Sequence, residues 1–520
     1  MSTPAAHVSA SQPTALAETA SPLRFVTAAS LFDGHDAAIN IMRRLIQGQG
    51  AEVVHLGHNR SVEDVVRAAL QEDADGIALS SYQGGHVEYF KYMVDMLKER
   101  GAPHIKVFGG GGGTITPEEI RELQDYGVER IYHPNDGMHM GLVAMIEDVV
   151  RRAESGRMPV DKPHQVELSN EIEIGRMLSA IEDGLIDESG LAHLRKQWQL
   201  AGGKTPVVGI TGTGGAGKSS VTDELLNRFL ASFPEMRIAV ISVDPTRRRT
   251  GGALLGDRIR MNSLRSNNVF MRSMATRRQH AATNIVLKDC IAFLKSLGYD
   301  LVIVETAGIG QSDSEIVDLV DFPMYVMTSD FGAPSQLEKI DMLDFAELVV
   351  LNKFDKRGAE DALRDVRKQW KRNHVAFQTK DEDVPVYPTI ASQFNDPGIS
   401  WMFVNLCRLL REKLHLGEGA PVAPAESKGN SRVDWNPHLD TSLKEPRATV
   451  LIPGARVRYL AEIAEQGRGI NAGIDKQAEA ANRAQAFWMT LQELGDAKLP
   501  KQLDLYDNAD IVGRVSTRHA

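Results

Sequence analysis

Cysteine is scarce in this 520-residue chain, where only Cys290 and Cys407 occur. Both fall in segments that read as amphipathic helices, which excludes a disulfide scaffold or a cysteine-based zinc site and fits a reducing cytoplasm. No run of about 18 apolar residues occurs, so no membrane-spanning helix is expected. Positive charge is not in excess. Against 69 Asp and Glu stand 59 Lys and Arg, a formal charge of −10. No global basic field therefore draws the chain to nucleic acid or anionic lipid, and an anionic ligand must be held locally. Residues 1–23 contain no lysine or arginine and no apolar stretch, and their Ser/Thr/Ala/Pro mixture reads as a disordered lead-in rather than a signal peptide.

What is present is the composition of a globular protein, 42% hydrophobic and 25% charged, at a length that predicts about three domains. From Arg24 short β-branched runs alternate with helical segments. The strands are Phe25–Ala28, Glu52–Leu56, Gly76–Ser80, Ile105–Phe108 and Arg130–Tyr132. This alternation predicts a doubly wound parallel sheet over residues 24–155, left through the Gly- and Pro-containing stretch Ser155–Pro163. A polar helical extension then leads into a second α/β domain, so that extension and domain together fill residues 156–416. Its strands are Val207–Ile210, Ile238–Val243, Leu301–Glu305, Met324–Thr328, Leu348–Leu351 and Val384–Pro388. Residues 417–520 read as a linker-like, mainly helical tail, interrupted by Gly467, Gly469 and Gly473.

Gly212-Thr213-Gly214-Gly215-Ala216-Gly217-Lys218-Ser219 fits the P-loop pattern, between an apolar strand and a helix. The backbone N–H groups of Gly214 to Gly217 wrap phosphates, Lys218 brings a point charge toward the β- and γ-phosphates, and the Ser219 hydroxyl ligates Mg²⁺. Asn352-Lys353-Phe354-Asp355 follows a later strand as a base-reading loop, with Ala391 as a second contact to the base. Asp355 selects guanine, because its carboxylate accepts from N1–H and the exocyclic amine, whereas adenine offers no matching donors. Two acidic strand ends, Val243-Asp244-Pro245 and Glu305-Thr306-Ala307-Gly308, point at the magnesium side. The Gly308 N–H is the expected γ-phosphate sensor. The segment Thr246–Met261, rich in Arg and Gly, reads as a mobile loop over the phosphates, with Asp257 as a metal ligand and Arg260 as a charge-stabilising catalytic group beside Lys218. Arg247, Arg248 and Arg249 read as a solvated face.

In the first domain, Asp33-Gly34-His35 lies in the first strand-to-helix loop, at the sheet edge where ligands dock. On its own this string is either a cap and turn or a metal-binding imidazole with Asp33 behind its other nitrogen. Ser80-Ser81-Tyr82-Gln83-Gly84-Gly85-His86 and Phe108 to Gly113 follow two more strands. Together the three loops resemble the base-off, His-on cobalamin-binding domain, whose pattern is D-x-H-x-x-G, S-x-L and G-G, with Ala38 and Tyr82 here in place of the usual Gly and Leu. The resemblance implies a flavodoxin-like fold with His35 as axial cobalt ligand, Asp33 as its partner, Ser80 at the buried nucleotide tail, and Gly109 and Gly110 lining the tail's channel.

The second domain resembles the G-protein chaperones of acyl-CoA mutases through Thr250-Gly251-Gly252, Leu255-Gly256-Asp257-Arg258, Arg260-Met261 and Glu305 to Gln311. A cobalamin domain followed by such a GTPase resembles the amino-terminal half of the fused isobutyryl-CoA mutases. That resemblance implies adenosylcobalamin and Mg²⁺ as cofactors, GTP as substrate, and GTP-gated cofactor loading. It also implies an acyl-CoA mutase barrel as partner, a cobalamin adenosyltransferase as a further one, and a homo-oligomer in the cytoplasm. A (β/α)₈ barrel takes about 250 residues, and only about a hundred without βα alternation follow Leu416, so the barrel is expected outside this chain. Two other readings stay open: a non-catalytic cobalamin carrier with a GTPase switch, and a GTPase whose first domain is an empty docking scaffold. The guanine assignment predicts that Asp355→Asn weakens GTP binding by about 1–3 kcal/mol. Fluorescent-nucleotide titration measures it, and unchanged GTP affinity refutes the base-loop role.

Overall fold

The computed structural model describes residues 21–158, 166–203, 205–247, 249–276, 280–306, 313–332, 334–416, 433–446 and 459–500. Residues 1–448 form one compact unit and residues 449–520 a second.

Strands β1 (Arg24–Ser30), β2 (Glu52–Arg60), β3 (Gly76–Ser80), β4 (Lys106–Gly110) and β5 (Arg130–Tyr132) lie in the order β5-β4-β3-β1-β2, all parallel. This is the flavodoxin-like order, which reverses direction between β1 and β3 and opens a crevice at the carboxyl ends of those strands. All seven residues of β1 are buried, as helices on both faces of a parallel sheet require.

The second sheet is built from β6 (Val207–Gly212), β7 (Ile238–Asp244), β9 (Val269–Ala275), β10 (Leu301–Thr306), β11 (Phe322–Thr328), β12 (Leu348–Asn352) and β13 (Val386–Pro388). Its order is β13-β12-β11-β6-β10-β7-β9, again all parallel. The α/β class with two doubly wound domains is therefore observed. The edge strand β9 was not anticipated, because Arg272 interrupts its apolar run.

The largest departure from expectation is the segment after β7. Read as a mobile loop over the phosphates, it instead contributes β8 (Ala253–Leu255), which leaves the second domain and pairs in parallel with β2 as the sixth strand of the first sheet. A Cβ on Gly252 would stand 2.3 Å from the Gln47 carbonyl oxygen and 2.7 Å from that of Ala51, so only glycine lets the chain pass this close to the first domain.

Behind β8 lies a buried charge cluster. Arg24 on β1 contacts Glu52 (2.6 Å), Glu72 (3.2 Å) and Glu182 (3.1 Å). Arg258 contacts Glu72 (2.7 Å), and Arg272 on β9 contacts Glu182 (2.8 Å). All six side chains are at most 5% exposed. Arg24, Glu52 and Glu72 belong to the first domain, Glu182 to the connecting helix Glu171–Glu182, and Arg258 and Arg272 to the second domain. The polar extension is thus a bridge between the domains, and Arg67 adds to it by donating to Glu171 and to the carbonyls of Leu264, Ser266 and Val269.

Two residues of the stretch read as tail pack with the second domain. Val433 and Trp435 are 6% and 0% exposed in the second domain's core, where Trp435 meets Phe229 edge-on at 6.1 Å between ring centres. In the second unit the helix Tyr459–Glu493 runs unbroken through Gly467, Gly469 and Gly473. Removing one partner from a buried ion cluster leaves an uncompensated charge, so Glu182→Ala is expected to destabilise the chain by about 3–5 kcal/mol, read from the urea midpoint.

Candidate functional site

The P-loop wraps the start of the helix Lys218–Ser232, with Gly217 in the left-handed region at φ +93°. A Cβ there would meet Asn352 Nδ2 at 2.5 Å. Asn352 ties the two nucleotide loops together: its Nδ2 donates to the Ala216 carbonyl at 2.8 Å, and its Oδ1 accepts from Thr389 Oγ1 at 3.1 Å and Ala391 N at 3.0 Å. Lys353 Nζ donates to the Gly215 carbonyl at 2.7 Å. Phase by phase along the sheet edge, the P-loop after β6 and the base-reading loop after β12 are thereby joined, with Asp355 exposed beyond them and half-buried Phe354 beside it. Gly214 and Gly215 are exposed at the mouth of the loop, and Lys218 Nζ folds onto the Gly212 and Thr213 carbonyls at 3.0 and 3.3 Å.

Carboxylates gather at Ser219. Its Oγ lies 2.8 Å from Glu305 Oε1 and 3.1 Å from Asp257 Oδ1, while Thr222 Oγ1 lies 2.9 Å from Glu305 Oε2. Ser242 Oγ donates to Asp257. Burial, reinforced by the neighbouring Asp257 carboxylate, pushes the Glu305 carboxyl up to about 8 and that of Asp244 up to about 7. Such a site favours a cation. Among the described residues no three His, Cys, Asp or Glu side chains are placed to hold a metal by themselves. A magnesium ion here needs phosphate oxygens as well, as Mg²⁺ at nucleotide sites does.

The other expected members differ in placement. The Val243 side chain packs in the core, leaving only its main chain toward the site. Thr306 Oγ1 donates to Thr211 Oγ1 at 3.0 Å. Arg260 is exposed, with its charge acting on Asp244. Gly308 and Arg248 lie outside the described residues. Thr222 and Ser242 were missed. Thr222 follows Ser219 by three residues on one helix, a spacing that places both on the same face and could have signalled it.

At the crevice of the first sheet, Asp33 is 1% exposed whereas the His35 ring is 76% exposed. Asp33 Oδ1 accepts from His35 N and lies 2.8 Å from His35 Nδ1, and Oδ2 accepts from Tyr82 N at 2.6 Å. Burial works against the Asp33 charge, but the N–H groups of Tyr82 and His35 and the imidazole hold its carboxyl below the ordinary range. With Nδ1 engaged, Nε2 is the nitrogen turned outward for a ligand. Ser80 Oγ donates to the His35 carbonyl at 3.4 Å, and the Tyr82 ring lies 5.5 Å from the imidazole. A Cβ on Gly34, Gly84 or Gly113 would meet nothing within 4 Å, so one glycine in each of the three loops borders open space. Gly109 does not face that space: its Cβ would strike Phe90 at 2.4 Å and Ile131 at 2.6 Å, while Gly110 has the Tyr132 carbonyl at 3.5 Å.

Residues 23–138 match the family model of the B12 binding domain, and residues 174–404 match that of the methylmalonyl-CoA mutase-associated GTPase MeaB. The chain is a homologue of the fused isobutyryl-CoA mutases. It is 52% identical over 469 residues to the one from Cupriavidus metallidurans, covering 90% of this chain and 41% of that protein. To the Geobacillus kaustophilus protein it is 49% identical over 468 residues, covering 89% and 42%. The GTPase ArgK of Escherichia coli is 36% identical over 154 residues, 29% of this chain and 46% of that protein. This homologue therefore joins a cobalamin-binding domain to a GTPase chaperone domain, and it spans about two fifths of the length of its fused relatives. No helix among the described residues is long and apolar enough to cross a membrane. Asp33→Ala frees the His35 ring and removes the acceptor for Tyr82 N. It is expected to weaken cobalamin binding by about 10–100-fold in an absorbance titration, the usual effect of losing a ligand's hydrogen-bonded support.

Proposed function

We propose that the chain uses GTP to gate the loading of adenosylcobalamin into an acyl-CoA mutase that interconverts isobutyryl-CoA and n-butyryl-CoA. The observation that carries this reading is that a single compact unit holds both an exposed imidazole oriented by a buried carboxylate and a P-loop with carboxylates gathered at its serine. On this reading His35 Nε2 takes the cobalt, Asp33 fixes the ring, and Ser80 and Gly110 serve the nucleotide tail, with Gly109 turned to the packed side at Phe90 and Ile131. The N–H groups of Gly214, Gly215, Ala216 and Gly217, with Lys218, hold the phosphates. Ser219, Asp244, Asp257 and Glu305 serve Mg²⁺, flanked by Val243 and Thr306. Arg260 and the Gly308 N–H act at the γ-phosphate. Asn352, Lys353, Phe354, Asp355 and Ala391 frame guanine.

Bound cobalamin supplies the radical chemistry of such a mutase, which needs a closed cavity around the substrate. The residues described here bind and orient the cofactor, so a substrate barrel is the partner that completes the reaction. The domains proposed are 24–155 for cobalamin and 156–416 for GTP, the latter with the packed segment around Trp435. The assembly is a homo-oligomer in the cytoplasm, supplied by a cobalamin adenosyltransferase.

Titrating the full chain with adenosylcobalamin, with and without a non-hydrolysable GTP analogue, tests the gate. Coupling of about 5–150-fold is expected, with the same factor when GTP analogue is titrated with and without cobalamin. Equal affinities in both states sink the gating role. An identical absorbance change in His35→Ala sinks the cobalt assignment.

A further inference from the structure

Three carboxylates face the P-loop, and they are not carried alike. Asp244 and Glu305 sit at the ends of β7 and β10, inside the second sheet. Asp257 sits two residues beyond β8, which is hydrogen-bonded into the first sheet with Val54 opposite Leu255. The short turn Asp257–Arg260 then grips the first domain again. Arg258 Nε donates to Glu72 Oε1 at 2.7 Å, and its Nη2 donates to Gln71 Oε1 at 2.9 Å and to the Met271 carbonyl at 2.5 Å. Ile259 packs against Gly57, whose added Cβ would stand 2.7 Å from it, and its carbonyl accepts from Arg60 Nη2 at 3.3 Å. Leu255 before Asp257 and Arg258 after it are thus held by the cobalamin-binding domain, with Gly256 N donating to Asp244 Oδ2 at 3.2 Å between them, while the Asp257 carboxylate reaches into the nucleotide site at Ser219 and Ser242.

Glu72 is the centre of that grip. It is 0% exposed, and besides Arg258 it takes Arg24 Nη1 at 3.2 Å and the Ser273 N–H at 3.1 Å. An arginine held at this many charge-assisted and carbonyl contacts is restricted to a narrow range of positions, which limits where the main chain of Asp257 beside it can stand.

We propose that Glu72, acting through Arg258, is a positioning residue for the nucleotide-bound divalent cation: the cobalamin-binding domain sets where Asp257 stands relative to Ser219. The inference rests on the GTPase reading above and adds the element that ties its metal site to the other domain. Glu305 and Asp244 stand on strands of the second sheet, so the grip at Glu72 that fixes the two domains in one arrangement also fixes the place of Asp257 relative to them. Arg258 and Glu72 do not touch the nucleotide in this account.

Mn²⁺ binding to the full chain saturated with a non-hydrolysable GTP analogue, followed by electron paramagnetic resonance of the free ion, tests it. Glu72→Gln keeps the shape and removes the charge that fixes Arg258. Its Mn²⁺ dissociation constant is expected to rise about tenfold, the lower end for loss of a supporting partner at a metal site, with metal-free nucleotide affinity unchanged. In an Asp257→Asn background the same substitution should add nothing, because the path runs through that carboxylate. If Glu72→Gln does not yield folded protein, Glu72→Asp is measured in its place and should raise the constant in the same direction. Unchanged Mn²⁺ affinity, or an equal loss of Mn²⁺ and metal-free nucleotide affinity, overturns the inference, as does an undiminished effect in the Asp257→Asn background. Failure of the wild-type chain to bind Mn²⁺ with the analogue overturns the GTPase reading instead.

Discussion

Six buried charges hold the two α/β domains as one body. Taking an isolated carboxylate or guanidinium out of water costs several kcal/mol even after relaxation, so none of the six is tolerable alone. Arg24 meets three glutamates, and Arg258 and Arg272 close the set. Because the partners come from the first domain, the bridging helix and the second domain, separating those parts would leave every fragment with unpaired charge. Apolar surfaces can slide past one another at modest cost. A charge network with fixed partners cannot, and it therefore specifies one arrangement of the domains rather than merely favouring contact.

That constraint explains why a strand is exchanged. β8 is three residues long and would be a weak edge strand alone, but it is flanked by Gly252 pressed on the first domain's backbone and by Arg258 anchored at Glu72. Its hydrogen bonds to β2 then form at no further entropic cost, since the segment is already held at both ends. The nucleotide site inherits the result, with Asp257 delivered from the neighbouring sheet and Asn352 latching the P-loop to the base-reading loop across its own.

What the sequence made legible was local. The P-loop, the Asn352–Asp355 loop and the Asp33–His35 pair are each encoded within a few residues, and their positions follow from the strand that precedes them. The two α/β domains were legible from alternation for the same reason. The rest depends on partners far apart in the chain. Thr246–Met261 looks like a polar loop because its one continuous apolar run is the three residues Ala253–Leu255, whose pairing partner lies about 200 residues earlier. Nothing local marks Arg258 and Arg272 as buried, and their burial follows from glutamates at 72 and 182. Tyr82 likewise carries no local sign that its N–H holds Asp33.

The same contrast separates the two sites. The nucleotide site is enclosed by its own fold, with Lys218 at 9% exposure and Ser219 at 4%. The crevice of the first sheet is open: the His35 ring is 76% exposed, and Phe32 in the same loop is 85% exposed. A ligand held at His35 is therefore met from the solvent side, whereas one held at Ser219 is met by groups carried on both sheets.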